Sequence, residues 1–183
     1  MVIRMPFLFY LGIKRIHSFE SELYINNDKW RINMNSSTFQ YVTYISSTAE
    51  KVWDALTNTQ HTEKYFFGTT IKSDWKVGSR VEYFRGELTD SGEILSYEHN
   101  KEMTYTWESV GDDTVREVPT IASFSLQEID NHVVKLTLTH KNLLDADYVE
   151  EADTFRGVHN GWPFILSNLK TYLESGKTME VSI

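Results

Sequence analysis

The feature that most constrains this chain is a change of hydrophobic period. Within 103–107, 123–127 and 134–140 apolar residues recur at every second position, and between Phe155 and Leu173 mostly at every third or fourth. Met103, Tyr105 and Trp107 share one face of their segment. Phe124 and Leu126 alternate with Ser123, Ser125 and Gln127, and Val134, Leu136, Leu138 and His140 alternate with Lys135, Thr137 and Thr139. A period of two is that of a strand with one covered and one wetted face, which is the habit of antiparallel sheets. The stripe Phe155, Val158, Trp162, Ile165, Leu166, Leu169 and Leu173 has the helical period and needs a partner surface of its own. Sheet and helix therefore cover each other.

The remaining segments fill in the order. Phe39–Ile45 is aromatic and β-branched and reads as a strand. Ala49, Val52, Trp53 and Leu56 recur at helical spacing, and Ser47 with Glu50 makes a capping-box pattern. A second short helix is expected over Thr59 to Phe66, ended by Gly68. Strands are expected at 70–73 and 80–84 around the turn 75–78. Another is expected at 87–97, with a bulge at Gly92, and a hairpin at 121–140 turns at Asp130-Asn131. Asp153 or Thr154 is a candidate cap for the last helix, with Asn160 an alternative start because of Pro163, and Gly176 ends it. A run of strands closed by a long helix is an α+β order, not a βαβ nucleotide-binding sheet. One helix does not fill the concave side of a long curved sheet, so the space between them is a candidate pocket.

Composition narrows the functions. A net charge of −8 with no Lys/Arg cluster argues against nucleic-acid binding. The chain has no cysteine, which removes disulfides, thiol nucleophiles and zinc–thiolate sites, and fits a reducing, cytoplasmic location. The apolar run Pro6–Ile13 is too short to span a bilayer, so no membrane insertion is expected. Residues 1–37 read as an N-terminal extension, with three readings open: a mistranslated upstream stretch before a true start at Met34, an added hairpin or helix, and a membrane or export segment. The domain is expected over 38–176, with 177–183 as a tail.

Several segments together carry a resemblance. They are Tyr44-Ile-Ser-Ser-Thr-Ala-Glu-Lys-Val-Trp-Asp-Ala-Leu56, Ser73-Asp-Trp-Lys-Val-Gly78, Gly92-Glu-Ile-Leu-Ser-Tyr97 with Met103-Thr-Tyr-Thr-Trp107, and Gly161-Trp162 followed by Leu166, Leu169 and Leu173. In this order and spacing they resemble the activator-of-heat-shock-ATPase homologues of the START-like (SRPBCC, helix-grip) superfamily, over residues 39 to about 175. The resemblance implies a curved antiparallel sheet of about six to seven strands around a long C-terminal helix, two short helices after the first strand, and an internal cavity. Relatives include lipid and hormone binders, polyketide aromatase/cyclases and co-chaperones. This sequence departs from the family at Glu98-His-Asn-Lys101, where a proline is usual.

The residues nominated for the cavity are Phe66, Phe67, Tyr83, Tyr105, Trp107, Phe124, Leu138, His140, His159 and Trp162. Ordinary core packing is the competing account for each. Tyr83, Tyr105 and Trp107 stand out because a buried hydroxyl or indole N–H needs a partner. His140 and His159 are acid–base candidates or satisfied structural groups. The pattern contains no HExxH pair, EF-hand loop, glycine-rich phosphate loop or serine-hydrolase elbow, and no metal or cofactor is expected. The expected function is binding of an apolar or aromatic, lipid- or polyketide-like molecule without catalysis. The alternatives are a cyclase- or hydrolase-like enzyme using Tyr105 and His140, and a co-chaperone stimulating a heat-shock ATPase. A chaperone contact or a homodimer contact completes the partners to be considered.

Overall fold

A computed structural model of the chain describes residues 23–26, 29–32, 37–149 and 154–179. The apolar run at 6–13 and the acidic residues at 150–153 lie outside them. A hairpin of β1 (Leu23–Asn26) and β2 (Lys29–Ile32) forms one unit, with Leu23 opposite Ile32 and Asn26 opposite Lys29.

The second unit is a seven-stranded antiparallel sheet with three helices. The strands are β3 (Ser37–Ile45), β4 (Thr70–Ser73), β5 (Arg80–Arg85), β6 (Glu87–Glu98), β7 (Glu102–Ser109), β8 (Thr120–Asp130) and β9 (Val133–Leu143). Their spatial order is β3-β9-β8-β7-β6-β5-β4, so β3 and β4 are the edges. Two short helices, α1 (Ala49–Thr57) and α2 (Thr59–Tyr65), follow the first strand of this sheet, and α3 (Val158–Ser175) closes the chain. This is the helix-grip arrangement.

Register carries the alternating pattern across the sheet. Phe124 stands opposite Met103 on one side and Leu138 on the other, and Tyr41 stands opposite Leu138. Because side chains alternate faces, one row of inward residues builds one layer of core. Ile45, Ile94, Met103, Tyr105, Leu136 and Leu138 are almost wholly buried there, against Leu166 and Leu169 of α3. The helix is tied at its far end too. Lys170 Nζ donates to the Tyr44 carbonyl at 2.6 Å, and the Ser46 amide donates to Glu174 at 2.7 Å.

Several local expectations are corrected. The cap of α1 is Thr48, whose Oγ1 accepts from the Lys51 amide, not Ser47. The two interruptions of β6 lie beside Thr89 and Leu95, not at Gly92. Gly92 is required for another reason: a Cβ there would lie 1.6 Å from the Thr106 carbonyl oxygen of the neighbouring strand. Helix α3 begins at Val158 after Gly157, whose φ is 78°. Thr154 does not cap it, since its Oγ1 accepts from Arg156, and Asp153 lies outside the described residues. Phe155 therefore precedes the helix and is partly exposed. The Glu98–Lys101 turn forms without a proline, using a left-handed Asn100 and a bond from the Lys101 amide to the Glu98 carbonyl.

Candidate functional site

The nominated residues divide between two spaces. The larger is a half-open cavity of about 1050 Å³ at one end of the grip, between the β7–β8 connection, the β9–α3 connection and the first turns of α3. Its aromatic floor is Phe66, Phe67, Trp107 and Trp162, with Ile165 beside them. The smaller is an inner void of about 10 Å³, near the size of one water, walled by Tyr65, Phe66, Tyr83, Met103, Tyr105, Phe124 and Trp162. Of these two spaces only the one at the end of the grip is of ligand size.

Leu138 is fully buried in the core and borders neither space. His159 borders neither as well. Its ring lies 5.6 Å from that of Tyr148, and its Nδ1 is buried without a partner among the described residues. Tyr105 borders only the inner void and His140 only the outer cavity, so the two do not meet in one pocket.

His140 is held in a chain of hydrogen bonds whose direction is determined. Indole N–H is only a donor, so Trp162 Nε1 donates to Nδ1 of His140 at 3.1 Å. The ring proton is therefore on Nε2, which donates to Thr120 Oγ1 at 3.0 Å. Thr120 in turn donates to the Trp107 carbonyl at 2.7 Å. Burial above all pulls the imidazole down from 6.5 to about 4, opposed by Asp147 and reinforced by Arg116. A neutral ring with both nitrogens engaged is a positioning element for Trp107 and Trp162, not a free acid or base.

Tyr83 and Tyr105 share one hydrogen bond, 2.6 Å between hydroxyls, inside the aromatic cluster. Burial first, then the neighbouring groups, pushes Tyr83 well above its ordinary range, and burial does the same to Tyr105. Both are neutral hydroxyls at physiological pH.

The cavity rim holds a two-pronged ion pair. Arg116 donates from Nη1 and Nη2 to both carboxylate oxygens of Asp147, at 2.8 and 2.5 Å, and from Nη2 to Asp112 at 2.9 Å. Asp147 also accepts from the Leu144 amide. A bidentate, half-buried pair of this kind fixes one loop against another. It joins the β7–β8 connection to the 3₁₀ turn at Asp145–Asp147 across the cavity mouth. Asp112 is lowered to about 2, by its bonds to Thr114 and then Arg116.

Sequence reasoning did not find Thr120, Arg116 or Asp147. Thr120 was within reach, since it extends the inward alternation of Ala122 and Phe124 by one step. Nothing in the pattern pairs Arg116 with a carboxylate 31 positions away. Among the described residues no group of three or more His, Asp or Glu side chains is placed to hold a metal ion, and no helix is long and apolar enough to cross a membrane.

The model of the family described as Activator of Hsp90 ATPase homolog 1-like protein matches residues 46–174, well over half of the chain. An HSP90 activator from Plasmodium falciparum is similar in structure, with a TM-score of 0.61 and 20% identity, covering 74% of this chain and 95% of that one. The Aha1 dimer from Colwellia psychrerythraea gives 0.58 and 24%, covering 77% and 98%. ChR145 from Cytophaga hutchinsonii gives 0.59 and 28%, covering 76% and 95%. No curated protein matches the chain.

Proposed function

Given that the chain belongs to the family of Activator of Hsp90 ATPase homolog 1-like proteins, we propose that it binds a small molecule with an aromatic or lipid-like apolar body in the end cavity. The observation that carries this reading is the floor of Phe66, Phe67, Trp107 and Trp162 beneath ligand-sized space. Aromatic walls of this kind favour a flat apolar guest. A ring system burying roughly 200 Å² at about 25 cal/mol per Å² gains on the order of 5 kcal/mol before the costs of association. The ligand body rests on Trp107 and Trp162, whose positions His140 sets. Catalysis is not part of the proposal, because His140 is spent on both nitrogens and the tyrosine hydroxyls lie in the other space.

Native mass spectrometry of freshly purified protein tests it. A co-purified apolar molecule, lost from a Trp107→Ala variant that still folds, is the expected result. A protein that carries nothing and takes up no aromatic probe would refute the reading.

A second reading follows from the family and from the Plasmodium relative, an HSP90 activator matched over 95% of its length. In it the chain stimulates a heat-shock ATPase through its surface. Phosphate release by a purified Hsp90, with and without the chain, decides it, and an unchanged rate counts against it.

A further inference from the structure

The inner void and the outer cavity are separated by one layer of side chains, since Phe66, Trp162 and Ile165 border both. Behind that layer the Tyr83–Tyr105 pair is incomplete. Two hydroxyls bring two protons, their mutual bond uses one, and among the described residues neither oxygen has a further partner. A buried hydroxyl proton without an acceptor is costly. The void beside it has room for about one oxygen atom with its hydrogens.

The walls are not equally fixed. Trp162 is anchored through its indole to His140 and packs edge-on against Phe124. The backbone of Phe66 is held, its amide donating to the Thr62 carbonyl and its carbonyl accepting from the Thr69 amide, but its ring has no polar partner. Phe66 is the residue after α2, with φ −110° and ψ 59°, and two left-handed residues follow it, Phe67 at φ 52° and Gly68 at φ 73°. A bulky residue in the left-handed region is strained, and strain of this kind collects where a segment changes conformation.

Resting on the proposal that the end cavity holds an apolar ligand, we infer that the Tyr83–Tyr105 pair is the polar end of that site. It receives a hydroxyl or carbonyl oxygen at the tip of an aromatic ligand when the Phe66 ring turns aside. The free tyrosine proton is donated to the ligand oxygen, which fills the void. A charged carboxylate is not the group received, because the pocket supplies one proton and no cation among its walls.

The test measures binding of 2-naphthol and of naphthalene, which differ by one hydroxyl, by equilibrium dialysis against the whole chain. The wild type should hold 2-naphthol about tenfold more tightly, the worth of one buried hydrogen bond. In Tyr83→Phe/Tyr105→Phe that preference should vanish while naphthalene binding stays. Both partners of one bond are removed together, so this variant should remain folded. Phe66→Ala, lacking the movable wall, should widen the preference, because the competent state is no longer a minor one. Equal binding of the two probes by the wild type, a preference that survives in the double phenylalanine variant, or an unwidened ratio in Phe66→Ala would each overturn the inference and leave the cavity reading standing. Failure of the wild type to bind either probe would overturn both.

Discussion

The indole N–H of Trp162 meets Nδ1 of His140 at 3.1 Å, and this bond joins an early turn of α3 to the ninth strand. It also settles where the imidazole proton resides, and through Thr120 it reaches the backbone of Trp107. The two tryptophans on the cavity floor are thus set by one neutral histidine.

That histidine makes stability depend on pH. An unfolded chain protonates the ring near 6.5, whereas burial chiefly holds the folded ring at about 4. As pH falls between these values the unfolded state takes up the extra proton. The stabilisation, roughly 3 kcal/mol, is complete above 6.5 and gone below 4. Urea unfolding at about pH 7 and about pH 4.5 should show most of this loss, and His140→Gln, which keeps a donor and an acceptor but does not titrate, should show a correspondingly shallower one.

Gly92 and Gly111 should respond differently to alanine. At Gly92 the new Cβ meets the Thr106 oxygen at 1.6 Å, a backbone atom that moves only if β6 and β7 part. The expected cost is at least about 3 kcal/mol. At Gly111 the side is open and only the positive φ of 81° is strained, at a cost of about 1 kcal/mol. Urea midpoints of the two variants measure the contrast.

Arg116 should behave as the fastener of the cavity mouth. Arg116→Leu leaves the half-buried Asp147 without its counter-ion, with only the Leu144 amide as donor, and should cost about 1–3 kcal/mol. Arg116→Lys keeps the charge but loses the two-pronged geometry, and should recover only part of it. A double-mutant cycle with Asp147→Asn, read by thermal unfolding, should return a coupling of about 1–3 kcal/mol.

Leu138 and Phe67 separate packing from binding. Leu138→Ala empties a fully buried site and should cost about 2–5 kcal/mol, while the folded fraction binds 2-naphthol as before. Phe67→Ala removes a ring stacked on Phe164 on the cavity floor. It should weaken that binding several-fold, at about 1 kcal/mol of stability. Calorimetry of the two variants, with and without the probe, gives both quantities.

How far the sequence could be read varied with the range of the interaction. The eight paired residues of β1 and β2 alternate only weakly and do not announce themselves as strands. Thr48 took the cap from Ser47 because capping depends on the backbone angle at one residue, which adjacent hydroxyl residues do not distinguish. Phe155 has the spacing of the α3 stripe, yet the chain breaks at Gly157 before the helix starts.

By itself the sequence determined the α+β order, the inward faces of β7, β8 and β9, the apolar stripe of α3 and its end at Gly176. These follow from periodicity and local backbone preference, which act over a few residues. Only the tertiary structure decided that the interior closes around Tyr83 and Tyr105 while space opens at the end of the grip. It also placed Leu138 in the core, His140 between Trp162 and Thr120, and Arg116 against Asp147. Those outcomes depend on how side-chain volumes and polar partners far apart in the chain meet in space, and no local pattern encodes that meeting.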